Sequence, residues 1–278
     1  MPVRPDRRLW PPVSLVPPPD SIPDPINPVD ATLSLETEAE SGGLVPYQVP
    51  ITAYPTGSGA ILVNSPGSGE LKDGREQRWR NLGLHLQQRG LATLVTYNAP
   101  RPDFQVQLEW EAYSYQGVSW NKLLIESLCH AVDWSLEHSA QLCGTKTPAL
   151  YLSGFSSGGS AVGAVAHRYP SVQRVLLLST YDSVGDSFYE GISNFAGDIY
   201  LVYGGEDPTA GLLAQVLRMG PLAAKSFQIR EVPNCGHRFD GEANTELLTQ
   251  AFHWAFDGDN GRPPTADSLE PDTQTKKE

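Results

Sequence analysis

The chain has 278 residues, of which 40% are hydrophobic and 19% charged, so it can bury a sizeable core and is not typical of a largely disordered protein. Its formal net charge of −12 repels phosphate backbones, which argues against nucleic acid as a partner. No stretch approaches the roughly 20 apolar residues of a membrane span. We therefore expect a cytoplasmic protein without an integral membrane segment.

Composition divides the chain into three regions. Residues 1–40 are rich in proline and predict an extended N-terminal arm, for which the sequence identifies no protein partner. Residues 41–257 carry the regular apolar patterns of a folded domain. Residues 258–278 are polar and predict a mobile C-terminal tail.

The middle region alternates apolar runs, which predict strands, with amphipathic segments, which predict helices. The predicted strands cover residues 47–54 (at the sheet edge), 59–64, 92–97, 149–153, 172–179, 198–203 and 226–232. The predicted helices cover residues 75–89, 120–138, 158–169, 210–219 and 242–256. Parallel strands need crossover helices, so this order predicts one α/β domain with a mostly parallel sheet and helices on both faces.

A candidate nucleophile lies at the junction between the strand at 149–153 and the helix at 158–169. The letters there are GFSSG, the pattern G-x-S-x-G with Ser156 at its centre. Such a serine stands on a sharp turn, and the flanking glycines let strand and helix approach closely. Ser157 and Ser160 are the competing serines, but one is past the apex of the turn and the other is inside the helix. A glycine-rich turn that serves packing alone is the alternative.

A serine hydroxyl needs a base to take its proton and a carboxylate to orient that base. His237 follows the last predicted strand in a loop, whereas His253 falls inside the closing helix. The turn GGEDP after the strand at 198–203 supplies Asp207, with Glu206 and Asp182 as alternative acids. Loops at the carboxyl ends of parallel strands lie at one edge of the sheet, so we expect these groups to meet there.

This order of serine, acid and histidine, over about residues 45 to 257, resembles the α/β-hydrolase superfamily. The layout resembles its compact, small-lid branch of dienelactone hydrolases and carboxylesterases, although the dienelactone enzymes use Cys where this chain has Ser156. The resemblance implies a three-layer α/β-hydrolase fold and a catalytic triad of Ser156, Asp207 and His237. No metal-ligand cluster or phosphate-binding fingerprint is visible, so we expect no metal and no cofactor.

The first oxyanion-hole donor departs from the family pattern. Where members usually carry His-Gly, this chain has Pro66-Gly67. The expected donors are the backbone amides of Ser68 and Ser157, of which one such donor is typically worth about 3 kcal/mol. Alternatively, the segment at Pro66-Gly67 is a glycine turn that takes no part in catalysis.

Two segments bear on the substrate pocket. The connection from 98 to 119 contains Trp110, Tyr113 and Tyr115, which line the pocket or form a satellite core over the sheet; the sequence leaves both open. The segment 181–197 has room for a short helix and not for a large lid.

These features favour a serine hydrolase that cleaves a small-molecule carboxylic ester or thioester through an acyl-enzyme on Ser156. Acyl transfer, or peptide or lactone hydrolysis, on the same triad is an alternative. A non-catalytic binding protein on a hydrolase scaffold is another. The sequence does not identify the substrate.

Overall fold

The computed structural model describes residues 27–68, 70–100 and 114–257. Its centre is an eight-stranded sheet with the spatial order β1-β2-β4-β3-β7-β8-β9-β10. The strands of this sheet are β1 (Val29–Glu38), β2 (Leu44–Tyr54), β3 (Ala60–Ser65), β4 (Thr93–Tyr97), β7 (Ala149–Phe155), β8 (Val172–Leu178), β9 (Asp198–Gly204) and β10 (Ser226–Val232). Two short strands, β5 (Ser114–Tyr115) and β6 (Val118–Ser119), form a separate hairpin.

The pairing pattern collects the ends of the central strands at one edge. Strand β2 is antiparallel to β1 and to β4, whereas the other five neighbouring pairs are parallel. The carboxyl ends of β3, β7, β8, β9 and β10 therefore point the same way. Side chains that directly follow these strands share one edge of the sheet.

Helices cover both faces of the sheet. They are α1 (Arg78–Gln88), α2 (Trp120–Glu137), α3 (Ser139–Cys143), α4 (Ser157–Val165), α5 (Asp186–Asn194), α6 (Pro208–Met219) and α7 (Glu242–Phe256). Helices α1 and α7 pack on one face, and α2, α4, α5 and α6 on the other. In β3, Ile61 and Val63 face one layer and Leu62 the other, which explains the uninterrupted apolar run. The predicted three-layer α/β architecture is confirmed.

The N-terminal boundary predicted from the sequence is wrong. Residues 29–38, which we assigned to the arm, form β1 and pair with β2 along their full length. Their apolar side chains alternate with polar ones, so one face of the strand packs on the core while the other is exposed. Strand β2 is consequently not the sheet edge. The remainder of the predicted arm up to residue 26, and the predicted tail, lie outside the described residues.

The segment between β8 and β9 forms α5, which belongs to the body of the domain. Phe188 of α5 is fully buried, and its ring occupies the space that a Cβ on Gly163 of α4 would need. Gly191 likewise lies against the backbone of α4. This helix is therefore packed into one of the three layers, in agreement with the short helix expected in the segment 181–197. Among the described residues, no helix is long and apolar enough to span a bilayer.

A pair of partly buried histidines connects α1 to α7. Because of this pair, we expect the stability of the fold to decrease at acid pH. The Nε2 atoms of His85 and His253 lie 2.8 Å apart. Burial, with His253 and Arg89 nearby, lowers the pKa of His85 to about 4, and burial also lowers the pKa of His253. In the unfolded chain these rings take up protons near the ordinary pKa of about 6.5. The unfolded state then binds more protons, so the free energy of unfolding falls as the pH drops from about 6.5 to about 4.

We expect His85→Gln to weaken this dependence, because one of the two rings is removed. Urea unfolding of both proteins at several pH values across this interval measures it. Equal slopes of unfolding free energy against pH in the wild type and the variant would show that the pair does not cause the acid sensitivity.

Candidate active site

Ser156 stands on a strained turn between β7 and α4. Its backbone angles are φ 56° and ψ −123°, a region that side-chain-bearing residues rarely adopt. A Cβ on Gly154 would lie 2.4 Å from the carbonyl oxygen of Gly158, and a Cβ on Gly158 would lie 2.1 Å from that of Ser65. Both glycines are therefore required by close approaches of the backbone. The second approach brings the loop after β3 directly against the serine turn.

Asp207 is held at the start of α6, directly after β9. Its Oδ1 accepts a hydrogen bond from the Ala210 amide at 3.2 Å, which caps the helix, and Pro208 occupies the first turn. The side chain is buried. The cap and the backbone bond from Asp207 N to the Gly204 oxygen fix the direction of the second carboxylate oxygen.

His237 connects the other two groups from the loop between β10 and α7. Its Nδ1 lies 2.6 Å from Oδ2 of Asp207, and its Nε2 lies 3.0 Å from Oγ of Ser156. The acid and histidine loops are tied together, because the Glu206 amide donates to the Cys235 carbonyl at 2.9 Å. The structure thus brings the three side chains predicted as a triad into one hydrogen-bonded chain.

Asp207 can stabilise positive charge on the imidazole. Burial on its own raises the pKa of this carboxyl, but hydrogen bonds from His237 and from the Ala210 amide, and the charge of His237, outweigh burial. The pKa of Asp207 is consequently below its ordinary value, and the group is ionised at neutral pH. An ionised, buried carboxylate on Nδ1 orients the ring so that Nε2 faces Ser156.

The alternative residues lie outside this chain of hydrogen bonds. Glu206 is exposed, and Asp182 is exposed and accepts a hydrogen bond from Tyr189. The hydroxyl of Ser160 accepts from the Val184 amide at 3.1 Å. His253 lies on α7, where it contacts His85.

The loop after β3 lies beside the serine. A Cβ on Gly67 would be 3.2 Å from the Cβ of Ser156 and 2.9 Å from the ring of Phe155. Ser68 is half-buried and Ser157 is buried, and both are next to the serine turn. These positions are compatible with the backbone amides of Ser68 and Ser157 as oxyanion donors, and this role stays a prediction.

Of the three aromatics predicted for the pocket, only Tyr115 belongs to the described residues. Trp110 and Tyr113 lie outside the described residues, and Tyr115 packs partly buried against the core on the α2 side. Among the described residues, a cavity of about 20 Å³ is bounded by the loop and by five residues that we did not predict for the pocket: Tyr97, Ala99, Pro100, Trp120 and Leu124. Tyr97 is the last residue of β4. Because the sequence already predicted this strand end at the carboxyl edge of the sheet, Tyr97 could have been predicted as a pocket residue.

A buried ion pair lies under the site. Arg78 Nη2 is 2.5 Å from Glu70 Oε1, and the two side chains are only 7% and 9% exposed. Arg78 also donates to the carbonyl of Arg238, next to His237, at 2.7 Å, and its guanidinium lies 4.3 Å from the ring centre of Phe155, next to Ser156. This one guanidinium therefore contacts the loop after β3, the strand end next to Ser156 and the histidine loop.

The fold is shared with known proteins. Dienelactone hydrolase from Anabaena variabilis is similar with a TM-score of 0.57, over 82% of this chain and 99% of that chain at 18% identity. An esterase from Pyrobaculum calidifontis gives 0.54 over 80% and 84% at 12% identity, and an α/β hydrolase from a Penicillium species gives 0.52 over 82% and 99% at 12% identity. No sequence-family model and no curated protein matches the chain. The chain has the α/β-hydrolase fold.

Proposed function

We propose that this protein is a serine hydrolase that cleaves a carboxylic ester or thioester through an acyl-enzyme on Ser156. The observation that carries the proposal is the hydrogen-bonded chain from Ser156 through His237 to Asp207 at the carboxyl edge of the sheet. The resemblance of the fold to esterases and dienelactone hydrolase supports it.

The reaction follows from the roles of the three groups. Ser156 Oγ attacks the substrate carbonyl while its proton passes to His237 Nε2, and the carbonyl electron pair moves onto oxygen. The tetrahedral intermediate collapses, and the leaving alcohol or thiol takes the proton from His237. Water then repeats the sequence and releases the acid. Asp207 stabilises the imidazolium in both halves.

The proposal predicts that a fluorophosphonate probe labels one residue, Ser156. An activated serine attacks the phosphorus and displaces fluoride, so the intact mass rises by a single adduct. Ser156→Ala is expected to abolish the adduct because the nucleophile is absent. Intact-mass and peptide mass spectrometry of the native protein and the variant measure this.

The matched control is Ser160→Ala, which removes a hydroxyl one helical turn away that binds the Val184 amide and not His237. It should label like the wild type. A folded wild-type protein that remains unlabelled would contradict the proposal and favour a non-catalytic binding protein. Product analysis with competing alcohols then separates hydrolysis from acyl transfer, since a transferase yields the new ester.

A further inference from the structure

Arg78 is the first residue of α1, and it follows a strained turn. Glu76 and Gln77 have φ values of 52° and 60°, in the left-handed region that side-chain-bearing residues rarely adopt. Such backbone conformations persist where surrounding contacts impose them. A Cβ on Gly74 would lie 2.8 Å from Cγ of Arg78, so the turn packs closely against this side chain. The side chain that follows the turn is only 7% exposed and enters the interior of the protein.

One nitrogen of the Arg78 guanidinium holds the histidine loop, which lies between β10 and α7. Nη1 donates to the carbonyl of Arg238 at 2.7 Å, and Arg238 directly follows His237. The guanidinium carbon also lies 4.3 Å from the ring centre of Phe155, the residue before Ser156. The rings of Phe155 and His237 are in turn 5.3 Å apart between their centres. These contacts connect the proposed base to the proposed nucleophile beneath the bond between Nε2 and Oγ.

The other terminal nitrogen of Arg78 faces the loop after β3. Nη2 lies 2.5 Å from Oε1 of Glu70. The second carboxylate oxygen of Glu70 accepts from the Trp79 indole at 2.7 Å, and the Glu70 amide donates to the Gly67 carbonyl at 3.0 Å. The same loop carries Ser68, whose amide we predict as an oxyanion donor. Because a guanidinium is planar and rigid, Arg78 fixes the spacing between this loop and the histidine loop.

We propose that Arg78 is a positioning residue, which holds the histidine loop and the loop after β3 in place around Ser156; the inference rests on the proposed function. Its buried side chain makes no bond to the substrate and takes no part in proton transfer, so it acts on the reaction only through His237 and the oxyanion donors. The rate is sensitive to such placement, because a displacement of about 1 Å can lower it about 100-fold.

Arg78→Lys tests this role. The variant keeps a positive charge next to Glu70, but a single ammonium replaces the planar fork that reaches both the carboxylate and the Arg238 carbonyl. We expect kcat for p-nitrophenyl acetate to fall roughly 10- to 100-fold. KM should stay within about twofold, because Arg78 does not contact the substrate. Rates are divided by the concentration of active sites, obtained from complete fluorophosphonate labelling, so that unfolded protein is not counted.

Arg174→Lys is the matched control. Arg174 makes the same three kinds of contact: Nη1 donates to the carbonyl of Ala255 at 3.2 Å, Nε lies 3.9 Å from Asp198, and the guanidinium carbon lies 5.9 Å from the ring centre of Tyr151. It is the third residue of β8 and lies towards the amino end of that strand, whereas the proposed triad follows the carboxyl ends. We expect its kcat to stay within about twofold of the wild type.

A second experiment separates positioning from stability. The double variant Arg78→Met, Glu70→Gln has no buried unpaired carboxylate, so it should be more stable than Arg78→Met alone. The Arg238 carbonyl lacks its donor in both proteins, so kcat per active site should stay equally low. Urea unfolding and steady-state kinetics measure the two quantities. Recovery of kcat together with stability would show that Arg78 only stabilises the fold, which would overturn the inference.

The outcomes also separate this inference from the proposed function. If the wild type is labelled at Ser156 and Arg78→Lys keeps the kcat of Arg174→Lys, the role of Arg78 is overturned and the proposed function stands. Equal losses of kcat in the two lysine variants would overturn it too, as would a rise in KM alone in Arg78→Lys. If the folded wild type is neither labelled nor active on the ester, both proposals fail.

Discussion

Removing the proposed base is expected to reduce kcat for an activated ester by roughly 10⁴- to 10⁶-fold. His237→Ala removes the Nε2 atom that lies 3.0 Å from Ser156 Oγ and would take its proton, so the serine stays a weak nucleophile. Asp207→Asn should cost about 10⁴-fold, because an amide in place of the carboxylate favours the wrong imidazole tautomer. Steady-state kinetics with p-nitrophenyl acetate measure both.

Glu206→Gln provides the control for the carboxylate. Glu206 is the neighbour of Asp207 in the chain, but it is exposed and makes no contact with His237 in the described structure. We expect its kcat to stay within about twofold of the wild type. A large loss in Glu206→Gln together with an active Asp207→Asn would assign the acid to Glu206 and contradict the proposed chain of hydrogen bonds.

Breaking the buried ion pair should give the largest loss of stability. Arg78→Met leaves the carboxylate of Glu70 buried without its positive partner, and such changes cost about 3–5 kcal/mol. The carbonyl of Arg238 also loses its donor, which should loosen the loop that carries His237. Urea unfolding gives the free energy, and kcat reports the displacement of the histidine loop.

Two further variants isolate the buried charge. Adding Glu70→Gln to Arg78→Met should recover part of the loss, because the amide is neutral and its oxygen still accepts from the Trp79 indole. Arg75→Met removes an exposed pair with Asp240, which is worth at most about 1 kcal/mol. Equal losses in Arg75→Met and Arg78→Met would mean that burial is not the source of the effect.

The sequence predicted those strands, helices and turns whose characteristic residue patterns lie within a short stretch of the chain. Apolar runs between turn residues marked every central strand, since a strand buried on both faces needs apolar side chains along its whole length. The motif around Ser156 was recognised because its residue types and their spacing are local, and Gly154 is required by the nearby backbone of Gly158. Parallel strands that end at one edge explain why Ser156, Asp207 and His237 were expected to meet.

Other features depend on contacts between distant segments. Strand β1 was missed because its short alternating pattern follows a proline-rich stretch, and only its full register with β2 distinguishes it from an extended arm.

The sequence by itself determined the order of the central strands and of the main helices between them, the serine turn and the loops that carry the acid and the histidine. Each of these depends on residue types within a few positions of one another. The tertiary structure alone decided that Arg78 pairs with Glu70 beneath the site and that His85 meets His253. Distances between side chains from separate elements are set by how the layers pack, and no local pattern encodes them.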